Sequence, residues 1–181
     1  VASIGCIRLV GATPVLVDVG TDYNMDPTRI EEAITPRTRA VLPVHLSGRP
    51  CRMEEIRDIS GRYGLPIVED AAQALGVMIQ DQMVGSFGDF GIFSFHAQKN
   101  VTTLGEGGIL TVRDPVKAKI VPMLRHNGHR PYPSGRRDYW IPAMGDVDLP
   151  QLDGESLWPG NFCIGEVECA LGEHLLSRVD E

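Results

Sequence analysis

The feature that most limits the fold of this chain is an alternation. Short apolar, β-branched runs take turns with stretches of helical spacing. "TPVLVDVG" (13–20) and "TRAVLPVHLSG" (38–48) are such runs closed by glycine, and both predict buried strands. Between them "DPTRIEEAI" offers Asp26 as an N-cap, Pro27 at the first helical position, and Ile30, Ala33 and Ile34 on one face. Met53, Ile56, Ile59 and Tyr63 then recur at helical spacing as far as Gly64. "LPIVED" (65–70), "FGIFSF" and "GGILTV" predict further strands, and a helix follows Pro115. From Ile164, the positions of Val167, Leu171 and Leu175 mark one more amphipathic helix. Parallel strands need crossover connections, and helices are the usual ones. The reading is therefore an α/β fold with a mainly parallel sheet flanked by helices.

In such sheets ligands sit beyond the carboxyl ends of the strands. The residues at those ends are His45, Asp70 with Gln73 just after it, and Ser94 with Lys99 just after it. An ionised Asp70 at the end of an apolar strand is costly unless something cationic meets it. It either caps a short helix begun by "DAAQAL" or faces a positive group on a ligand. Lys99 is either a solvated loop lysine or an amine that must reach a buried electrophile. Glycines 105, 107 and 108 close behind it allow near approach of the backbone. Ser94 and the glycines mean little alone. Together, a strand-end carboxylate and a later lysine beside a Gly-rich turn are what pyridoxal phosphate requires. The amine forms a Schiff base, the carboxylate keeps the pyridinium protonated, and hydroxyl and amide donors hold the phosphate.

Composition narrows the rest. A length of 181 residues suits one compact domain, and a net charge of −7 argues against nucleic acid and anionic membranes as partners. No apolar run in these residues is long enough to span a bilayer, and none of them reads as a signal peptide. Cys6, Cys51, Cys163 and Cys169 are scattered, without metal-ligand spacing, and read as reduced core thiols of a cytoplasmic protein. The chain opens at Val1 without a methionine and stops inside a helical pattern at "LLSRVDE", so it is expected to be part of a longer protein.

"EDAAQA" (69–74) and "GSFGDFGIFSFHAQKNVTTLGEGG" (85–108) together resemble the DegT/StrS-type (DegT/DnrJ/EryC) sugar aminotransferases. "GATPVLVDV", "ITPRTRAVLPVHLSG" and "GLPIVEDAAQA" match that family in the same order. The resemblance covers nearly all of 1–128 and returns at 160–181. It implies the type I, aspartate aminotransferase-like fold of pyridoxal-phosphate enzymes. On it, 1–128 is the core of the large cofactor-binding domain, 129–160 an irregular excursion, and 161–181 a helix leading toward a small C-terminal domain.

The resemblance also implies roles. Lys99 is the lysine that carries the cofactor and is catalytic; Asp70 is the pyridinium partner. Gln73 lies near the ring's 3-hydroxyl and Ser94 is a phosphate ligand. Asn161, in "PGNFCIGEVECALG", matches an asparagine that reaches the phosphate of the neighbouring subunit, which implies a homodimer with shared sites. His45 and His96 fall in the same region of the motif, as ligand contacts or as packing. Cys163 stands where relatives usually have an arginine, and 129–160 is longer than expected. No metal is implied. The implied reaction moves an amino group from glutamate or glutamine to a keto-sugar, usually nucleotide-linked, or to a keto-cyclitol. Deoxysugar dehydratases on the same scaffold replace the lysine with histidine, so Lys99 argues against that reading. A cofactor-binding regulatory relative is a third reading, and intact Asp70, Gln73, Ser94 and Lys99 weigh against it. A plain nucleotide-binding Rossmann domain would want a G-x-G-x-x-G after a strand, and none is present.

Overall fold

The computed structural model describes residues 1–129 and 149–179. The chain divides into two units, Val1–Thr111 with Glu166–Glu181, and Val112–Gly165.

The first unit opens with helix α1 (Ala2–Leu9), which the periodicity did not indicate. The predicted helix after Asp26 forms as a 3₁₀ turn, Pro27–Arg29, running into α2 (Ile30–Ala33). Asp26 caps it as expected, accepting from Thr28 N at 3.0 Å. Helix α3 (Met53–Arg62) buries Met53, Ile56 and Ile59 on one face and ends before Gly64, whose φ of 62° stops it. These three pack with Ile30, Val41, Cys51, Ile67 and Phe87 in the main core. Each fully buried side chain of this size contributes about 1.5–3 kcal/mol.

Three strands form the sheet: β1 (Val68–Asp70), β4 (Phe90–Ser94) and β5 (Gly108–Val112), in the order β1-β4-β5. A small hairpin of β2 (Met78–Ile79) and β3 (Gln82–Met83) lies between β1 and β4 in sequence. Strands β1 and β4 are parallel, with Val68 opposite Phe90 and Asp70 opposite Ile92. The predicted strand at 38–48 appears as an extended segment bridged in parallel to the β1 segment, Val41 to Ile67 and Val44 to Asp70. The predicted strand at 13–20 does not form. That stretch is extended, but its sole bridge joins Val19 to Met25, and Val15 and Leu16 are 66% and 76% exposed. Apolar alternation supplies a strand's propensity, but a ladder needs a neighbour paired along its length, and among the described residues the pairing of this stretch reaches only 24–26. Helix α5 (Glu166–Leu176) returns to this unit, with Gly172 buried where a Cβ would meet Thr103.

In the second unit, Asp114 caps α4 (Pro115–Arg125) by accepting from Val116 N at 2.8 Å. A short hairpin, β6 (Gln151–Leu152) with β7 (Glu155–Ser156), falls in the described part of 129–160. Most of that stretch lies outside the described residues. Residues 160–162 run along the end of α4, Phe162 N donating to Arg125 O at 2.8 Å. All four cysteines are free, but only Cys51 is a core thiol. Cys6, Cys163 and Cys169 are exposed, because their segments bury no apolar side chain among the described residues. Among the described residues no helix is long and apolar enough to cross a membrane.

Candidate active site

Asp70 and Ser94 end two adjacent parallel strands, so both stand at the same edge of the sheet. Asp70 is opposite Ile92, and directly opposed residues of a parallel pair project to the same side. Ser94 lies two residues beyond Ile92, about 6.6 Å along the strand and on that same side. This face of β1 and β4 is half-buried throughout, whereas the opposite one, carrying Glu69, Gly91 and Phe93, is buried. Sheet period and register together place a carboxylate and a hydroxyl on one half-open surface. The backbone of Asp70 is pinned on its other side, its N–H donating to Pro43 O at 2.9 Å and its carbonyl accepting from His45 N at 3.0 Å.

Each oxygen of Asp70 has one partner. Oδ1 accepts from Ala72 N at 3.1 Å, and Oδ2 from the Ser3 hydroxyl at 2.7 Å. No helix follows; residues 71–76 form turns, so the capping reading of Asp70 is replaced by a tight turn. Gln73 is exposed, and its Oε1 accepts from Ser47 N at 2.7 Å, which leaves the amide hydrogens to donate outward. The Ser47 turn is itself held by Asn24, only 1% exposed, which accepts from Leu46 N and donates to Arg49 O. Ser94 Oγ accepts from His96 N at 3.3 Å, so its own proton remains available to a ligand oxygen.

Lys99 sits on the loop that leaves β4. Its N–H donates to His96 O at 2.9 Å, and its ammonium has no hydrogen bond or ion pair among the described residues. The glycines behind it close this loop: Phe95 N donates to Gly107 O and Ala97 N to Gly105 O, both at 2.8 Å. Gly105 does so at a φ of 121°, a conformation that suits glycine. Their role is to tether the two ends of the lysine's loop. His96 belongs to the same loop, its Nδ1 accepting from Gln98 N at 3.2 Å.

His45 and Glu69 carry an arrangement that the sequence reading did not find. Both side chains are fully buried, with His45 Nε2 3.1 Å from Glu69 Oε2. His45 Nδ1 accepts from Cys51 N at 3.0 Å, so the ring proton is on Nε2 and points at the carboxylate. Glu69 also accepts from Gly85 N at 2.8 Å and Gly88 N at 2.5 Å. Burial alone would raise the Glu69 carboxyl, but the hydrogen bonds from His45, Gly88 and Gly85 outweigh it and hold it below the usual value. His45 is therefore packing that orients Glu69, and "GSFG" is the turn that wraps it. The signal was present in "VED": successive strand residues point to opposite faces, so one acid of the pair had to enter the core.

Asn161 belongs to the other unit and is exposed. Its Oδ1 accepts from Cys163 N at 3.3 Å, while α5 begins only at Glu166, so its side chain closes a local turn rather than capping that helix.

The donor set around Asp70 fits pyridoxal phosphate. An acceptor carboxylate, a donor hydroxyl and an unpaired primary amine share one strand-end region, and no cationic partner already neutralises the carboxylate among the described residues. The sequence profile of the DegT/DnrJ/EryC1/StrS aminotransferase family matches residues 1–181. GDP-perosamine synthase of Caulobacter vibrioides is 38% identical over 182 aligned residues, covering 100% of this chain and 44% of the synthase. The aminotransferase from Psychrobacter cryohalolentis superposes with a TM-score of 0.82 at 32% identity, over 98% of this chain and 43% of that one. Bacillus subtilis NtdA, with bound cofactor PMP, gives 0.65 at 35% identity, over 70% of this chain and 28% of NtdA. The chain thus spans less than half the length of the relatives it matches.

Proposed function

Because the chain belongs to the DegT/DnrJ/EryC1/StrS aminotransferase family, we propose that its protein is a pyridoxal-phosphate-dependent transaminase acting on a keto-sugar. The observation that carries this is that Asp70 and Ser94 share one half-open face of the sheet, while Lys99, on the loop that leaves β4, has an uncommitted amine. When bound, the cofactor supplies an electron sink for the α-carbon of an amino-acid donor. Lys99 would attach it through its amine and, with that amine free, would serve as the base that moves the proton of the donor's α-carbon. Asp70 holds the ring nitrogen in its protonated form. The free amide hydrogens of Gln73 donate to the ring's 3-oxygen, and the Ser94 hydroxyl donates to the phosphate.

The donor in this reading is glutamate or glutamine. The acceptor is a keto-sugar, in keeping with the GDP-linked product that names the Caulobacter relative, or a keto-cyclitol. Asn161 completes the phosphate site of a second subunit, which makes the working unit a cytoplasmic homodimer with shared sites.

The deciding experiment uses the full-length protein, loaded with cofactor and mixed with glutamate or glutamine. Wild type is expected to lose its visible absorbance as the amino group is transferred. Lys99→Ala is expected to lack the Lys99-linked band and the half-reaction while keeping its circular dichroism. A surviving band in that variant would assign attachment to another lysine and overturn the assignment.

A further inference from the structure

The hydroxyl of Ser3 donates to Asp70 Oδ2 at 2.7 Å, across 67 residues of sequence. It is the single side-chain hydrogen bond that α1 makes to another element among the described residues. The Cys6 thiol bonds within the helix, to Ser3 O. A helical serine commonly bonds back to a carbonyl of its own preceding turn. Ser3, in α1, spends its proton on the Asp70 carboxylate instead. Ala72 N holds the other oxygen, so two donors from different elements fix the plane of the Asp70 carboxylate. α1 buries no side chain completely, so packing alone does not account for this contact.

We infer that Ser3 is a positioning residue for the cofactor ring: it turns the Asp70 carboxylate so that one lone pair of Oδ2 remains directed at the ring nitrogen. This rests on the cofactor role proposed for Asp70. An oxygen that accepts from a hydroxyl keeps a second lone pair for the ring N–H, while a carboxylate free to rotate presents it only part of the time. A poorly directed carboxylate leaves the ring less firmly protonated. The ring then draws less charge from its Lys99 linkage, and the linkage nitrogen keeps its proton to higher pH.

The test uses full-length protein stripped of cofactor and reloaded with pyridoxal phosphate. Affinity is read from the reloading titration, and the linkage from the pH midpoint of the visible absorbance. Ser3→Ala is expected to bind cofactor roughly five- to tenfold more weakly. Its midpoint should move upward, in the direction that Asp70→Asn moves it. Ser3→Thr should restore both, and Ser3→Ala should add no further shift in an Asp70→Asn background. Should Ser3→Ala fold poorly, Ser3→Cys keeps the shape with a weak donor and gives the same readout. A lower melting temperature with an unmoved midpoint and affinity makes Ser3 structural and overturns the inference. So does an equal shift in the Asp70→Asn background. If Asp70→Asn moves neither quantity, Asp70 is not the ring's partner and both readings fall. A shift with Asp70→Asn but none with Ser3→Ala removes only the inference about Ser3.

Discussion

Glu69 and Asp70 are neighbouring acids with opposite tasks, because a strand sends consecutive side chains to opposite faces. Asp70 meets the half-open side, and Glu69 is surrounded by three donors in the core. Glu69→Gln replaces a charged acceptor by an amide whose hydrogens face other donors, and should cost about 2–3 kcal/mol in urea unfolding at neutral pH. The pH dependence follows in sign. The native carboxyl of Glu69 lies below its ordinary value of 4.5, so its contribution is complete above that pH and fades as pH falls through the native value. Stability measured from pH 7 to pH 3 should therefore fall less steeply in Glu69→Gln than in wild type. Cys51 makes a second residue-scale prediction. Burial first, then the negative charges of Asp22 and Glu69, push its thiol up to about 12. In mass spectrometry after brief alkylation at neutral pH, native Cys51 should remain unmodified, and denaturant should release it. The strand-end positions of Asp70 and Ser94, and the loop position of Lys99, were legible from the apolar runs before them. Ser3 and Glu69 were not, since each matters through a partner far away in sequence.

Elements that owe their form to local chemistry matched their sequence patterns. The Asp26–Pro27 start, the α3 stripe and the Gly64 stop all lie within one or two turns of chain. Elements defined by a neighbour matched less well. Residues 13–20 have strand propensity and no ladder, while 41–45 gain pairing from the β1 segment. Two glycines separate local from tertiary constraint. A Cβ on Gly91, in β4, would overlap the carbonyl of Gly85 and the hydroxyl of Thr111. Gly91→Ala must push backbone against backbone, and should lose about 3 kcal/mol or more in a thermal melt. Gly61, in α3, has nothing within 4 Å of such a Cβ. Gly61→Ala should instead stabilise by about 0.5–1 kcal/mol through helix propensity. Raising both variants and finding the same sign would contradict the close approach at Gly91.

At the scale of the molecule, the shared-site proposal makes a complementation prediction. Lys99→Ala and Asn161→Ala subunits, each inactive alone, should regain transamination when mixed under conditions of subunit exchange. One site of each mixed dimer then holds both residues intact. No recovery after confirmed exchange would confine Asn161 to its own chain. By itself the sequence determined the α/β class, most helix boundaries and the family. Those follow from short-range rules, caps and periodicities that act within a few residues, and from ordered motifs. Only the tertiary structure decided which acid of "VED" enters the core, that His45 serves Glu69, and that Ser3 reaches Asp70. These depend on register and on contacts between distant segments. A period of two divides residues between faces, but it is the packing of the whole sheet that makes one face the interior.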